Sequence, residues 1–110
     1  DKRPDDASRM VADWINRQPT LATAYAEDGW LYHQAGDLPR AQARLQQALE
    51  FDPHDYRALT ELARVYEEMN YPDRALVLYE RVLERDPGHP EVTTRVNFLL
   101  AKGVKRPQLQ

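Results

Sequence analysis

The sequence contains no cysteine. That excludes disulfides, thiolate catalysis and cysteine-bound zinc, and it fits any redox compartment. No apolar run approaches the roughly 20 residues that a helix needs to cross a bilayer, so direct membrane insertion is not expected. A cationic excess is missing too: 15 Lys and Arg face 18 Asp and Glu, for a net charge of −3. A surface that tracks phosphates needs such an excess, so nucleic acid is not expected as a partner. No stretch alternates apolar and polar residues between hairpin turns, and no strand is expected. No secretion leader is visible, although the chain begins in mid-pattern and one could stand upstream.

Catalytic patterns are equally scarce. The histidines are His33, His54 and His89, none at ligand spacing from another. HExxH, a glycine-rich phosphate loop and GxSxG are all absent. Asp5-Asp6 and Glu67-Glu68 are paired carboxylates, but adjacent residues on a helix point in different directions. Solvated charge explains them better than acid–base chemistry. No enzyme activity, metal site or cofactor is expected.

What is present is helix, almost throughout. The 110 residues are 42% hydrophobic and 30% charged, enough for one small domain. Breaks fall at Pro19-Thr20, at Asp52-Pro53-His54-Asp55 and at Asp86-Pro87-Gly88-His89-Pro90. Proline cannot continue a helix, and Thr20 or Asp55 can accept bonds from the free amides that start the next one. Pro90 suits a first turn, where its missing N–H costs nothing. Shorter breaks at Gly36-Asp37 and Asn70-Tyr71-Pro72 offer residues that tolerate the left-handed end of a helix. About six helices are expected, near 5–17, 21–35, 39–51, 56–69, 73–85 and 91–102, with a loose tail over 104–110.

Two of these segments are nearly the same. AGDLPRAQARLQQALEFDP at 35–53 is answered by MNYPDRALVLYERVLERDP at 69–87. Arg40, Ala41, Leu49, Glu50, Asp52 and Pro53 recur as Arg74, Ala75, Leu83, Glu84, Asp86 and Pro87. Ala24, Glu27 and Tyr32 recur as Ala58, Glu61 and Tyr66. A fixed period of this kind signals stacked units rather than one closed core. Gly29, Ala63, Ala41 and Ala75 lack bulk and let helices approach. Tyr32, Tyr66, Leu45 and Tyr79 fill the space beside them at close to crystal density.

The pattern resembles the tetratricopeptide repeat over nearly the whole chain. Residues 20–55 carry one unit, with Tyr25, Gly29, Tyr32, Gly36, Ala41, Leu45, Ala48 and Pro53. Residues 56–89 carry a second, with Leu59, Leu62, Ala63, Tyr66, Asn70, Ala75, Tyr79, Val82 and Pro87. By phase, 1–19 hold the second helix of a preceding truncated repeat, and 90–103 a terminal helix that is the first of a next repeat or a cap. The resemblance implies an all-α solenoid of stacked antiparallel helix pairs, here a piece of a longer array. Asp28 departs from the pattern, standing where Leu62 and Val96 are apolar, and needs a hydrogen-bond partner if buried.

The resemblance also implies a concave wall built from the first helix of each unit, which binds another protein or peptide. Thr23, Ala26, Glu27, Trp30, His33 and Gln34 should face it from one unit. Arg57, Thr60, Glu61, Arg64, Glu67 and Glu68 follow from the next, and Glu91, Thr94, Arg95, Phe98 and Lys102 from the last. Trp30, Arg64 and Phe98 lie one repeat apart and should form a row of anchors, with arginine stacked on a ring. They could equally just fill helix junctions. Arg57–Glu61 and Arg64–Glu68 are spaced to pair along one helix.

Some relatives in the resembling family clamp a C-terminal carboxylate with lysine, asparagine and arginine. The matching positions here hold Ala26, Trp30, Glu61, Glu91 and Arg95, of which Arg95 alone fits. Chaperone C-termini are therefore not expected as ligands. The main expectation is a non-enzymatic scaffold segment. The alternative is a structural spacer, self-associating through Met10, Val11 and Trp14 at an exposed end. The piece also resembles the periplasmic repeat scaffold of a Pel-type bacterial exopolysaccharide export system, which implies an envelope location and recruitment of a modification enzyme.

Overall fold

A computed structural model describes residues 19–107. Five α-helices follow one another: α1 Pro19–Gln34, α2 Leu38–Phe51, α3 Tyr56–Glu68, α4 Pro72–Arg85 and α5 Pro90–Ala101. No strand occurs among the described residues. The helix expected over 5–17, and with it Met10, Val11 and Trp14, lies outside them.

Local chemistry sets the helix ends. Asp37 accepts from the Arg40 amide at 3.2 Å, and Asp55 from the Ala58 amide at 3.1 Å, each satisfying a free N–H of a first turn. His89 does the same for α5, its Nδ1 accepting from the Val92 amide at 3.2 Å. Thr20, expected before a helix, lies inside α1, which begins at Pro19. The first helix of each unit ends on a left-handed residue: Gly36 at φ 83°, Asn70 at φ 69° and Gly103 at φ 88°. The following amides of Asp37, Tyr71 and Val104 bond back to the carbonyls of Tyr32, Tyr66 and Leu99. The same closure made three times gives the units a common turn.

The helices pack in sequence order, α1 on α2, α2 on α3, α3 on α4 and α4 on α5, with α1 also touching α3. Among the described residues α5 has no comparable packing on α1, so the stack is open rather than a closed bundle. Small residues occupy the crossings as expected: Ala41, Ala63 and Ala75 are fully buried. Leu45, Tyr66 and Tyr79 are buried around them, and Tyr32 packs partly buried against the same core.

Two details refine the sequence expectation. Asp28 is not buried; its carboxylate, about half exposed, takes Arg44 Nε of α2 at 2.8 Å. Leu62 and Leu78 hold these two positions one repeat later and are both buried, so an ion pair replaces an apolar pair at the outer unit. The stretch 104–107, expected to be loose, is anchored twice. Val104 packs against the core, and Arg106 Nε donates to Glu80 Oε1 at 2.6 Å.

Candidate functional site

The first helices α1, α3 and α5 form one wall, and charged side chains cross its seams. Between α1 and α3, Arg57 Nη1 donates to Glu27 Oε1 at 2.5 Å. In the same seam His33 lies between two carboxylates, with Nδ1 2.7 Å from Glu61 Oε2 and Nε2 2.5 Å from Glu68 Oε2. Between α3 and α5, Arg64 pairs with Glu91 and also donates to Glu61 Oε1 at 3.1 Å. Arg95 grips Glu67 with two nitrogens, and Tyr79 of α4 donates its hydroxyl to Glu67 Oε2 at 2.7 Å.

These contacts correct the pairing expected along single helices. Arg57 pairs with Glu27 rather than Glu61, and Glu68 meets His33 rather than Arg64. The guanidinium of Arg57 reaches back 30 residues to the neighbouring unit. The wall is therefore cross-linked between units, which fixes their relative pose. Each exposed pair contributes little alone, on the order of 0–1 kcal/mol, but shared partners such as Glu61 and Glu67 couple them.

Burial modifies the electrostatics. Burial by itself lowers the pKa of Arg64, but Glu91 and Glu61 outweigh it and raise it. The hydrogen bond to Glu67 raises that of Arg95. Tyr79 is pushed far up, first by burial and then by its bond to Glu67. All three groups keep their protons throughout the neutral range.

Several residues expected on the wall surface lie within it. Ala26, Thr60 and Glu61 are buried. The Thr60 hydroxyl is satisfied by its own helix, donating to the Tyr56 carbonyl at 2.9 Å. His33 has a side chain only 10% exposed. Two large aromatic side chains stay open among the exposed polar ones: Trp30 is 37% exposed and Phe98 45%. Arg64, at the matching position of the middle unit, is committed to Glu61 and Glu91. The cations that lie over the Phe98 ring are Arg95 of the same helix, at 4.6 Å, and Lys102 at that helix's C-terminal cap, at 5.1 Å.

Beside Phe98 the wall holds an open depression of about 320 Å³ lined by Arg64, Glu67, Glu68, Tyr79, Glu91 and Arg95. A second cleft of about 560 Å³ runs along α4 beside Arg106 and Pro107. Among the described residues no cluster of three or more His, Asp or Glu is placed to hold a metal ion. No described helix is long and apolar enough to cross a membrane.

Sequence reasoning missed the cross-seam role of His33 and the hub at Glu67. The signal available was an offset a little short of one repeat: His33 and Glu61, like Glu67 and Arg95, stand 28 residues apart, which sets groups of unlike charge on facing turns of successive first helices.

Comparison with known proteins agrees with this geometry. The family model described as tetratricopeptide repeat matches residues 32–102. An uncharacterized protein, ycf37, of Pyropia yezoensis is 32% identical over 85 residues, 77% of this chain and 48% of that protein. Hsp70-Hsp90 organizing protein 2 of Arabidopsis thaliana is 29% identical over 101 residues, 92% of this chain and 16% of that protein. Hsp70-Hsp90 organizing protein 1 of Glycine max is 28% identical over 87 residues, 79% and 15%. The chain thus spans half or less of the length of these curated relatives. With a family model over most of its length and helix pairs stacked in the family's period, the chain belongs to the tetratricopeptide repeat family.

Proposed function

We propose that this chain is a non-enzymatic scaffold segment that holds a partner protein against the wall of α1, α3 and α5. The observation that carries the reading is the exposure of Trp30 and Phe98 on a wall whose charges largely pair with one another. Large aromatic side chains left in solvent are the residue class that dominates protein interfaces. Glu27, Arg57, Glu61, Arg64, Glu68, Arg95 and His33 then serve mainly as the cross-links that hold the anchors apart at a fixed spacing. A rigid wall lowers the ordering cost of docking.

Two relatives are named as organizers of Hsp70 and Hsp90. A carboxylate-terminated chaperone tail is not the ligand proposed here. Ala26 is buried, Glu61 is acidic, and Arg95 is already held by Glu67. The proposed partner presents an apolar or aromatic segment. The narrower form, a modification enzyme held in a bacterial exopolysaccharide export system of the envelope, is supported by the sequence resemblance alone.

The test is photocrosslinking in the source organism, with a photoreactive residue at position 30 or 98, and at position 84 on α4 as the control. Adducts with one protein at 30 and 98 but not at 84 support the wall. Equal adducts at all three, or at 84 alone, refute it.

A second reading is favoured by the outer face of α1. Ala24 is exposed and Leu31 is 55% exposed, whereas Ala58 and Val65 one repeat later, and Val92 and Leu99 two later, are buried. In that reading the segment is a spacer whose α1 face is covered by a neighbouring unit or a second copy. Concentration-dependent sedimentation that Leu31→Glu abolishes would support a second copy.

A further inference from the structure

A carboxylate accepts hydrogen bonds and cannot donate them, while a neutral imidazole has one N–H and one lone pair. At His33 both ring nitrogens face carboxylate oxygens, Glu61 on one side and Glu68 on the other. In either neutral tautomer a lone pair would point at a carboxylate. The imidazolium alone donates on both sides. Glu61 and Glu68 lie two turns apart on α3 and both reach toward α1, which carries His33.

The surrounding charges are already committed. On α3, Arg64 takes Glu61 and Glu91 of α5, Glu67 is held by Arg95 of α5 and Tyr79 of α4, and Arg57 takes Glu27 of α1. Toward α2, Arg44 takes Asp28, and Arg40 lies 3.6 Å from Asp37. Arginine does not lose its proton in the neutral range and carboxylates do not gain one. Among the described residues, His33 is therefore the crossing of the α1–α3 seam that a proton can make or break near neutrality.

We propose that His33 is a proton-operated clamp between two successive repeat units. Charged, it ties α1 to α3 through Glu61 and Glu68 and fixes the pose of the two units. Neutral, it keeps one carboxylate, releases the other and loosens the seam beside Trp30. Burial by itself lowers the His33 pKa, but the hydrogen bonds and charges of Glu61 and Glu68 outweigh burial and hold it above the ordinary histidine value. A folded-state pKa above the unfolded value, about 6.5, places the added stability below that pH. It is then lost as pH rises through the folded value. The proposal needs no bound partner.

The test uses the whole chain. Nitrogen-15 NMR of the unmodified protein at about pH 6, below the ordinary histidine value, should show His33 with both ring nitrogens protonated. Urea unfolding is then compared from about pH 6 to about pH 9 for the unmodified chain, His33→Gln and Glu68→Gln. Subtracting the His33→Gln curve removes the contributions of His54 and His89. The unmodified chain should lose on the order of a fivefold larger factor in its folding constant across this range than His33→Gln, with Glu68→Gln between them. A neutral His33 ring at about pH 6 overturns the proposal even if the variants fail to fold, and so do parallel stability curves for the unmodified chain and His33→Gln.

Discussion

Gly29 of α1 and Leu45 of α2 are in such close approach that a methyl group on Gly29 would stand 2.6 Å from Leu45 Cγ. Two helices of one unit cross here with no room for a side chain. Gly29→Ala gains about 1 kcal/mol in helix propensity but forces a shift of a fully buried leucine. Overpacking of this kind costs about 1–3 kcal/mol, so the expected net effect is a loss of stability. Urea unfolding with an unchanged m-value checks it.

Gly36 poses the opposite case. A methyl there meets nothing within 4 Å, yet φ is 83°. Gly36→Ala should cost about 1–2 kcal/mol through backbone strain alone. The cost should persist in Gly36→Ala combined with Leu45→Ala, whereas the steric part of the Gly29→Ala cost should vanish beside Leu45→Ala. Double-mutant cycles separate the two.

Glu67 binds Arg95 and accepts the hydroxyl of the buried Tyr79. Glu67→Ala should leave that hydroxyl unpaired and cost about 1–3 kcal/mol. Tyr79→Phe removes the donor itself and should cost less, about 1 kcal/mol. Equal losses for both would contradict the hub.

Tyr79 also sets an alkaline limit. Its folded pKa lies above its unfolded value of about 10, so its contribution is present below that pH and lost as pH rises toward the folded value. Of the 6 tyrosines, Tyr79 should ionise late, in step with unfolding. An ultraviolet titration should lose its last step in Tyr79→Phe.

The helix ends and crossings were legible in the sequence because they depend on local backbone geometry. A left-handed φ calls for Gly36 or Asn70, a free amide for Asp55, a close crossing for Gly29, Ala41 and Ala75. The partners of the charged side chains were not legible. Arg57 stands four residues before Glu61, which suggests a pair along the helix, but a long side chain takes whichever carboxylate the adjacent helix brings near. The separation of α1 and α3 brings Glu27 there, and spacing along one helix carries no information about it. Thr60 was misread as displayed because a hydroxyl that bonds its own helix can be buried without cost.

The most direct measurement is calorimetric titration of the crosslinked partner into the unmodified chain, Trp30→Ala, Phe98→Ala and Glu84→Ala. The aromatic variants should each lose at least about 2 kcal/mol of binding free energy while Glu84→Ala binds unchanged. Unchanged affinity for Trp30→Ala and Phe98→Ala, with each variant folded by circular dichroism, would contradict docking on this wall.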